Sequence, residues 1–295
     1  MPFQRAILCE VRWTIPVAAL GMACQPAAAS KDQPEETSSN TERTTLPDAP
    51  SPPASTSPIQ LATVTVVPPP HPLADLSSTD LARLLDEDRA GLGTASIGLP
   101  NRGQLFNGVR AESNDLWEVV DPDRSWATPA TLAGLSRAIE AVHRQFPGTP
   151  RLHLGDLSRE HGGWLRPHRS HQSGLDADVS YYYTTEQRWY LKATAENLDR
   201  ARSWALVRNL VGDPTVEYVF VDVSVQRLLR EHAERIGESR DWLDSVFGGM
   251  DRRTEAPIRH TWGHRTHLHV RFLDPVAQVT AQRAYPLLKA RRLVR

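Results

Sequence analysis

Between Trp13 and Phe106 the chain has no aromatic residue, and from Gln25 to Pro72 it carries 11 of its 23 prolines among many serines and threonines. Such a segment cannot bury enough apolar surface to offset the entropy of ordering its backbone, so a disordered tether is expected over residues 25–75. Folding is thereby confined to residues 76–295, a span long enough for a sizeable core. Ahead of the tether, Arg5 and Arg12 precede the uncharged and mostly apolar run Trp13 to Met22, too short to cross a bilayer and suited to the centre of a signal peptide. Two endings fit residues 1–29: cleavage after Ala27-Ala28-Ala29, or lipidation at Cys24 in the string Leu20-Gly21-Met22-Ala23-Cys24. Either implies export to the periplasm, and the second adds a lipid anchor with the Pro-rich stretch as its leash.

The 34 basic and 35 acidic side chains give a net charge of −1, without the cationic surplus that phosphate neutralisation requires, so no nucleic-acid partner is expected. Cys9 and Cys24 are the only cysteines, which leaves the folded part with neither a disulfide nor a thiolate metal site. Any metal there must be held by His, Asp or Glu.

Periodicity places several elements. Thr128-Pro129 followed by Leu132, Leu135, Ile139, Val142 and Phe146 predicts a capped amphipathic helix that Pro147-Gly148 stops. Arg151 to Leu157 alternates as a strand does, and Val216 to Val221 is a short apolar run suited to a buried strand. Ser224 is the expected cap of a helix with the stripe Val225, Leu228, Leu229, His232 and Ile236, ended by Gly237. Helices mixed with strands that do not form hairpins predict an α+β domain, its small central antiparallel sheet flanked by helices and carrying the functional residues.

The chemistry shows in where histidines fall. Of 11, four lie in residues 153–171 and four in 260–269. A random scatter over windows of that size would place about one there. In the strand-like string His267-Leu268-His269-Val270-Arg271-Phe272, the two imidazoles share one face and the apolar side chains the other. Asp176 and Asp178 share a face for the same reason, and a Gln172-Ser173-Gly174 turn can fold His171 back over Asp178. Two His and one Asp match the three-ligand catalytic zinc pattern, with a fourth position left for water and a substrate oxygen. The same set serves non-haem Fe(II), but oxygenases commonly separate His and acid by one residue, and here six intervene between His171 and Asp178. Hydrolysis is the reading that follows.

The string Ser170-His171-Gln172-Ser173-Gly174-Leu175-Asp176-Ala177-Asp178, with His264-Arg265-Thr266-His267-Leu268-His269-Val270-Arg271 downstream, resembles the penicillin-insensitive murein endopeptidases, relatives of the lysostaphin-type and D-alanyl-D-alanine zinc peptidases. The likeness runs from about Ala95 through Gly155-Asp156 to Phe272. It implies that His171, Asp178 and His269 bind one zinc ion, and that the substrate is the D-alanyl to diaminopimelate cross-link between peptidoglycan stem peptides. It implies a catalytic role for His267, orienting water, stabilising an oxyanion or moving a proton, with His264 the other proton-handling candidate. His168 matches a family active-site histidine that contacts substrate or a second metal. Thr184 to Arg202 contains no histidine and does not match the family segment that completes such a second site, so one ion is expected.

Around these residues, Asp176 is expected to orient a ligand or shape a turn, and Asp156 to hold a histidine or cap a loop. His153, His161 and His260 carry only a structural reading, while Trp164, Tyr181 to Tyr183 and Trp262 either wall a cleft or fill the core. Two alternatives stay open. A D-alanyl carboxypeptidase or dipeptidase would pair a closed cleft with a cation for the free carboxylate, and a catalytically silent wall-binding protein would lack a ligand or His267.

Overall fold

The computed structural model describes residues 71–251 and 253–295; the expected leader, Cys24 and the tether up to residue 70 lie outside the described residues. The first described residues are already packed. The His71 ring bonds the Val276 carbonyl and Thr280, and Leu73 is buried.

In chain order the elements are α1 (Ser78–Glu87), β1 (Ala95–Leu99), β2 (Arg102–Phe106), β3 (Val109–Arg110), β4 (Trp117–Val119), β5 (Trp126–Ala127), α2 (Pro129–Gln145), β6 (Leu152–Leu154), β7 (Asp176–Ser180), α3 (Arg200–Gly212), β8 (Val216–Phe220), α4 (Val223–Arg235), α5 (Arg240–Val246), β9 (Ile258–Arg259), β10 (His267–Phe272) and α6 (Pro275–Ala290). The fold is α+β. Six strands form one sheet in the order β4-β6-β7-β10-β8-β9, and β1–β2 and β3–β5 form two small antiparallel pairs.

The centre of the large sheet is antiparallel, as expected from the sequence, but both edges depart from it: β4 runs parallel to β6, and β8 parallel to β9. The reason is connectivity. A parallel neighbour needs a long crossover, and α2 supplies it between β4 and β6, α4 and α5 between β8 and β9.

Helix α2 starts as its sequence predicts: Thr128 Oγ1 accepts the Thr131 amide, and Pro129 occupies the first turn, where its missing N–H costs nothing. Helix α4 is capped two residues earlier than expected, by Asp222 instead of Ser224. The Asp222 carboxylate accepts both the amide and the hydroxyl of Ser224, and a carboxylate at that end also meets the helix dipole favourably. Ile236, placed by periodicity in the α4 stripe, follows the last turn and is exposed.

One face of β10 presents Leu268, Val270 and Phe272, all fully buried in the main core with Leu135, Ile139 and Val142 of α2 and Leu206 and Leu210 of α3. A second apolar cluster joins α1, the β1–β2 hairpin and α6 through Leu81, Leu85, Ala95, Phe106, Ala284 and Leu288. Among the described residues no helix is long and apolar enough to cross a membrane.

Gly134 lies in the middle of α2, where replacement by alanine ordinarily stabilises a helix by about 1 kcal/mol. Its Cβ would stand 2.6 Å from Cε1 of the buried Phe272, and such overpacking costs about 1–3 kcal/mol. Gly134→Ala is therefore expected to lower stability by on the order of 1 kcal/mol in urea unfolding. An increase would contradict this packing.

Candidate metal centre

Strands β7 and β10 pair so that Asp178 stands opposite His269 and Asp176 opposite Arg271. Directly opposed residues project to the same side of a sheet, so both carboxylates meet the imidazole face of β10. His171 arrives from the loop before β7. Its backbone is left-handed (φ 65°), an uncommon state for a residue with a Cβ, and Gly174 (φ 74°) completes the reversal. Two bonds hold the residue there: its amide donates to Asp176 Oδ2 at 2.8 Å and its Nδ1–H to the Leu157 carbonyl at 2.7 Å.

With Nδ1 committed to a carbonyl, the His171 lone pair is on Nε2, which faces the centre. His269 Nδ1 lies 3.0 Å from that atom and 3.0 Å from Asp178 Oδ1, and His171 Nε2 is 3.3 Å from the same carboxylate oxygen. The other ring nitrogen, His269 Nε2, donates to Asp176 Oδ1 at 3.1 Å. The proton on His269 Nδ1 thus sits inside a triangle of two imidazole nitrogens and a carboxylate oxygen, where a cation is welcome. A tetrahedral ion at ~2.0–2.1 Å from each ligand needs donors about 3.3 Å apart, so these residues fit a metal.

Burial alone would raise the pKa values of both aspartates and lower that of His269; the opposite charges outweigh it. Asp178 stays well below the usual carboxylate range through His171 and His267, and Asp176 through His269 and Arg271. His269 is raised to about 9 by Asp176 and Asp178. Arg271 is the residue that sequence reasoning missed here. It donates to Asp176, and its guanidinium lies over the Tyr218 ring.

Three further histidines approach. His168 donates Nε2–H to Asp156 at 2.6 Å, which leaves Nδ1 toward the centre, 3.6 Å from Asp178 Oδ2; Arg124 holds the same Asp156 oxygen at 2.8 Å. His264 donates Nδ1–H to the Thr261 carbonyl at 3.1 Å, and burial, then the neighbouring His267 and His269, lower its pKa to about 4, so its ring is neutral. His267 Nε2 lies 3.6 Å from Asp178 Oδ2, and burial lowers its pKa against the pull of Asp178. Two overlapping groups, His168-His171-Asp178 and Asp178-His264-His269, keep their ligand atoms within 4.8 Å of one another.

Trp189 and Tyr190 pack against His267, with ring centroids 5.8 and 5.6 Å away. They come from a loop without periodicity, so pattern could not announce them; Tyr190, exposed and left-handed, is the conspicuous member. Tyr181 to Tyr183 are buried in the main core, whereas Trp164 and Trp262 are exposed. His153 lies on β6 and His260 lines a small cavity beside the centre. The structure provides no approach of His153, His161 or His260 to the three-atom triangle.

An α+β domain whose central strands gather buried imidazoles and carboxylates able to hold a metal ion describes a class of protein. Residues 95–290 match the sequence model of the penicillin-insensitive murein endopeptidases, and the chain belongs to that family. The matched span runs from β1 to the end of α6 and contains every residue of the centre. Relatives bearing the name penicillin-insensitive murein endopeptidase include one from Pectobacterium atrosepticum, 30% identical over 55% of this chain and 58% of its own length. Another, from Yersinia enterocolitica, is 29% identical over 56% and 60%. One from Haemophilus influenzae is 26% identical over 60% and 58%. The chain spans about three-fifths of the length of these curated relatives.

A divalent ion must displace the His269 proton, whose pKa is raised to about 9. Below that pH the apparent metal affinity should therefore fall up to about tenfold per unit as acidity increases. Chelator competition between about pH 6 and 8 measures it, and a flat profile contradicts the displacement. Asp176→Asn should weaken binding about 10–100-fold, because the imidazole loses the carboxylate that orients it.

Proposed function

We propose that the chain is an exported zinc endopeptidase that hydrolyses the D-alanyl to diaminopimelate cross-links of peptidoglycan stem peptides. The observation that carries the reading is the meeting of His171 Nε2, Asp178 Oδ1 and His269 Nδ1 within 3.3 Å, in a chain of the murein endopeptidase family. Two imidazoles and one carboxylate suit zinc better than the all-oxygen preference of calcium or magnesium. When bound, zinc supplies Lewis-acid polarisation of a carbonyl and a hydrolytic nucleophile at neutral pH.

The remaining chemistry belongs to the chain. His267, neutral because burial lowers its pKa, presents a base beside the zinc ligands; Thr266 Oγ1, 2.9 Å from its Nδ1, orients the ring, and Tyr190 stacks on it. It accepts a proton during attack and returns it to the departing amine. His264, whose ring centroid is 4.9 Å from that of His267, has a free Nε2 lone pair and assists the transfer as a proton acceptor. His168, held by Asp156 with its Nδ1 3.6 Å from Asp178 Oδ2, contacts the substrate or a second ion. His171 is fully buried and His269 nearly so, so little bulk water competes at the ligands. Outside the described residues, the leader would deliver the chain to the periplasm, with Cys24 a candidate lipid anchor.

Digestion of purified cross-linked muropeptides, with and without chelator, tests the reading by mass analysis. Monomers should accumulate only with metal. Release of terminal alanine would instead establish a carboxypeptidase, and intact substrate under every condition a wall-binding protein. His269→Ala should lose the metal, whereas His267→Ala should retain it and lower kcat by about 10²–10⁴-fold. The reverse pattern would overturn the two roles.

A further inference from the structure

The register of the large sheet extends the row of the metal centre beyond His269. Asp178 faces His269, His269 faces Phe220, and Phe220 faces Arg259 on the edge strand β9. Directly opposed residues share a face, so Arg259 projects on the same side as the candidate ligands. At 4.7–4.9 Å per strand it starts about 10 Å from His269.

The guanidinium of Arg259 is held but not neutralised. Nε donates to the Ala256 carbonyl at 3.0 Å, and the group lies 4.8 Å over the Tyr218 ring. Among the described residues no carboxylate pairs with it. The other arginine on this face, Arg271, is bound to Asp176, so the contrast is between a charge used to build the centre and a charge left for something else. Arg259 lines a 260 Å³ cavity with Phe220, His260, Thr261, Trp262 and Asp251. Phe220 is the shared wall, its ring centroid 5.6 Å from that of His269. In the same lining, His260 Nδ1 accepts the Val223 amide at 3.0 Å, which fixes its ring as part of the wall. A fixed, unpaired cation lining a cavity that shares a wall with the centre describes a receptor for a carboxylate, which guanidinium binds in a two-pronged geometry. Asp251, at the exposed rim, can take an N–H of the same ligand.

We propose that this cavity is a substrate subsite in which Arg259 binds a carboxylate of the peptide being cut. The proposal rests on the hydrolase reading above. An extended peptide advances ~3.3–3.6 Å per residue, so the bound carboxylate lies two or three residues from the scissile bond. It is either an acidic side chain of the cross-linked stem or the free end of one chain.

The test uses the full chain with a cross-linked stem-peptide dimer and two relatives, one amidated on its side-chain carboxylate and one at its free terminus. One amidation should raise KM about tenfold, and whichever does so identifies the source. Arg259→Gln should raise KM for the parent peptide to that of the sensitive amide while leaving the amide's own KM in place, and Arg259→Lys should recover part of the loss. Equal KM for all three peptides, or an Arg259→Gln loss that is the same for parent and amide, overturns the subsite. If none of the peptides is cleaved with metal present, the hydrolase reading fails instead. Calorimetric titration of the metal-free chain with the same peptides then still decides the subsite: the parent must bind more tightly than one amide, and Arg259→Gln must erase that difference.

Discussion

The pairing of β10 with β7 is the constraint on which the centre depends. In the observed register His269 lies beside Asp178 and Arg271 beside Asp176, with Leu268 and Val270 turned into the core. A slip of one residue would exchange the two faces of β10, putting imidazoles among the helices and leucine beside the carboxylates. The apolar face therefore enforces the polar one. Burial of Leu268, Val270 and Phe272 stabilises the sheet and fixes, at the same time, which atoms can meet around a cation.

Asp176 is the second organising element. It is completely buried, and it accepts from the His171 amide, from His269 Nε2 and from Arg271. Those bonds fix the left-handed backbone of one candidate ligand and the tautomer of another, and His269 first, with His171 and Arg271 adding to it, keeps the carboxylate ionised. Gathering so many ionisable groups away from water is expensive unless each is paired. Here the pairs exist, and a bound metal would couple the stability of the centre to its occupancy.

The candidate site was legible to the extent that its signal is local. Alternation over six residues placed His267 and His269 on one face of β10, and the same rule placed Asp176 with Asp178; the turn before β7 brought His171 over them. The cap of α2 was equally readable, because Thr128, Pro129 and the stop at Pro147-Gly148 act within single turns. The α4 cap was misplaced because Asp222 and Ser224 are both good caps, and only the backbone conformation of the first turn distinguishes them. That Asp176 orients a neighbouring histidine was expected from the sequence; that it holds the His171 amide, His269 Nε2 and Arg271 at once was not legible, because those partners come from a loop and a distant strand.

By itself, then, the amino-acid sequence determined the kinds of donor available, the absence of cysteine beyond Cys24 and the strand that carries two histidines on one side. Only the tertiary structure decided that the sheet has parallel edges, that Trp189 and Tyr190 pack on His267, and that Arg259 falls in line with Asp178, His269 and Phe220. The physical reason is that side-chain periodicity is a property of one strand, whereas register and neighbour order arise from packing the whole apolar face at once. The chemistry of this face was written in residue types, and its geometry came from the core behind it.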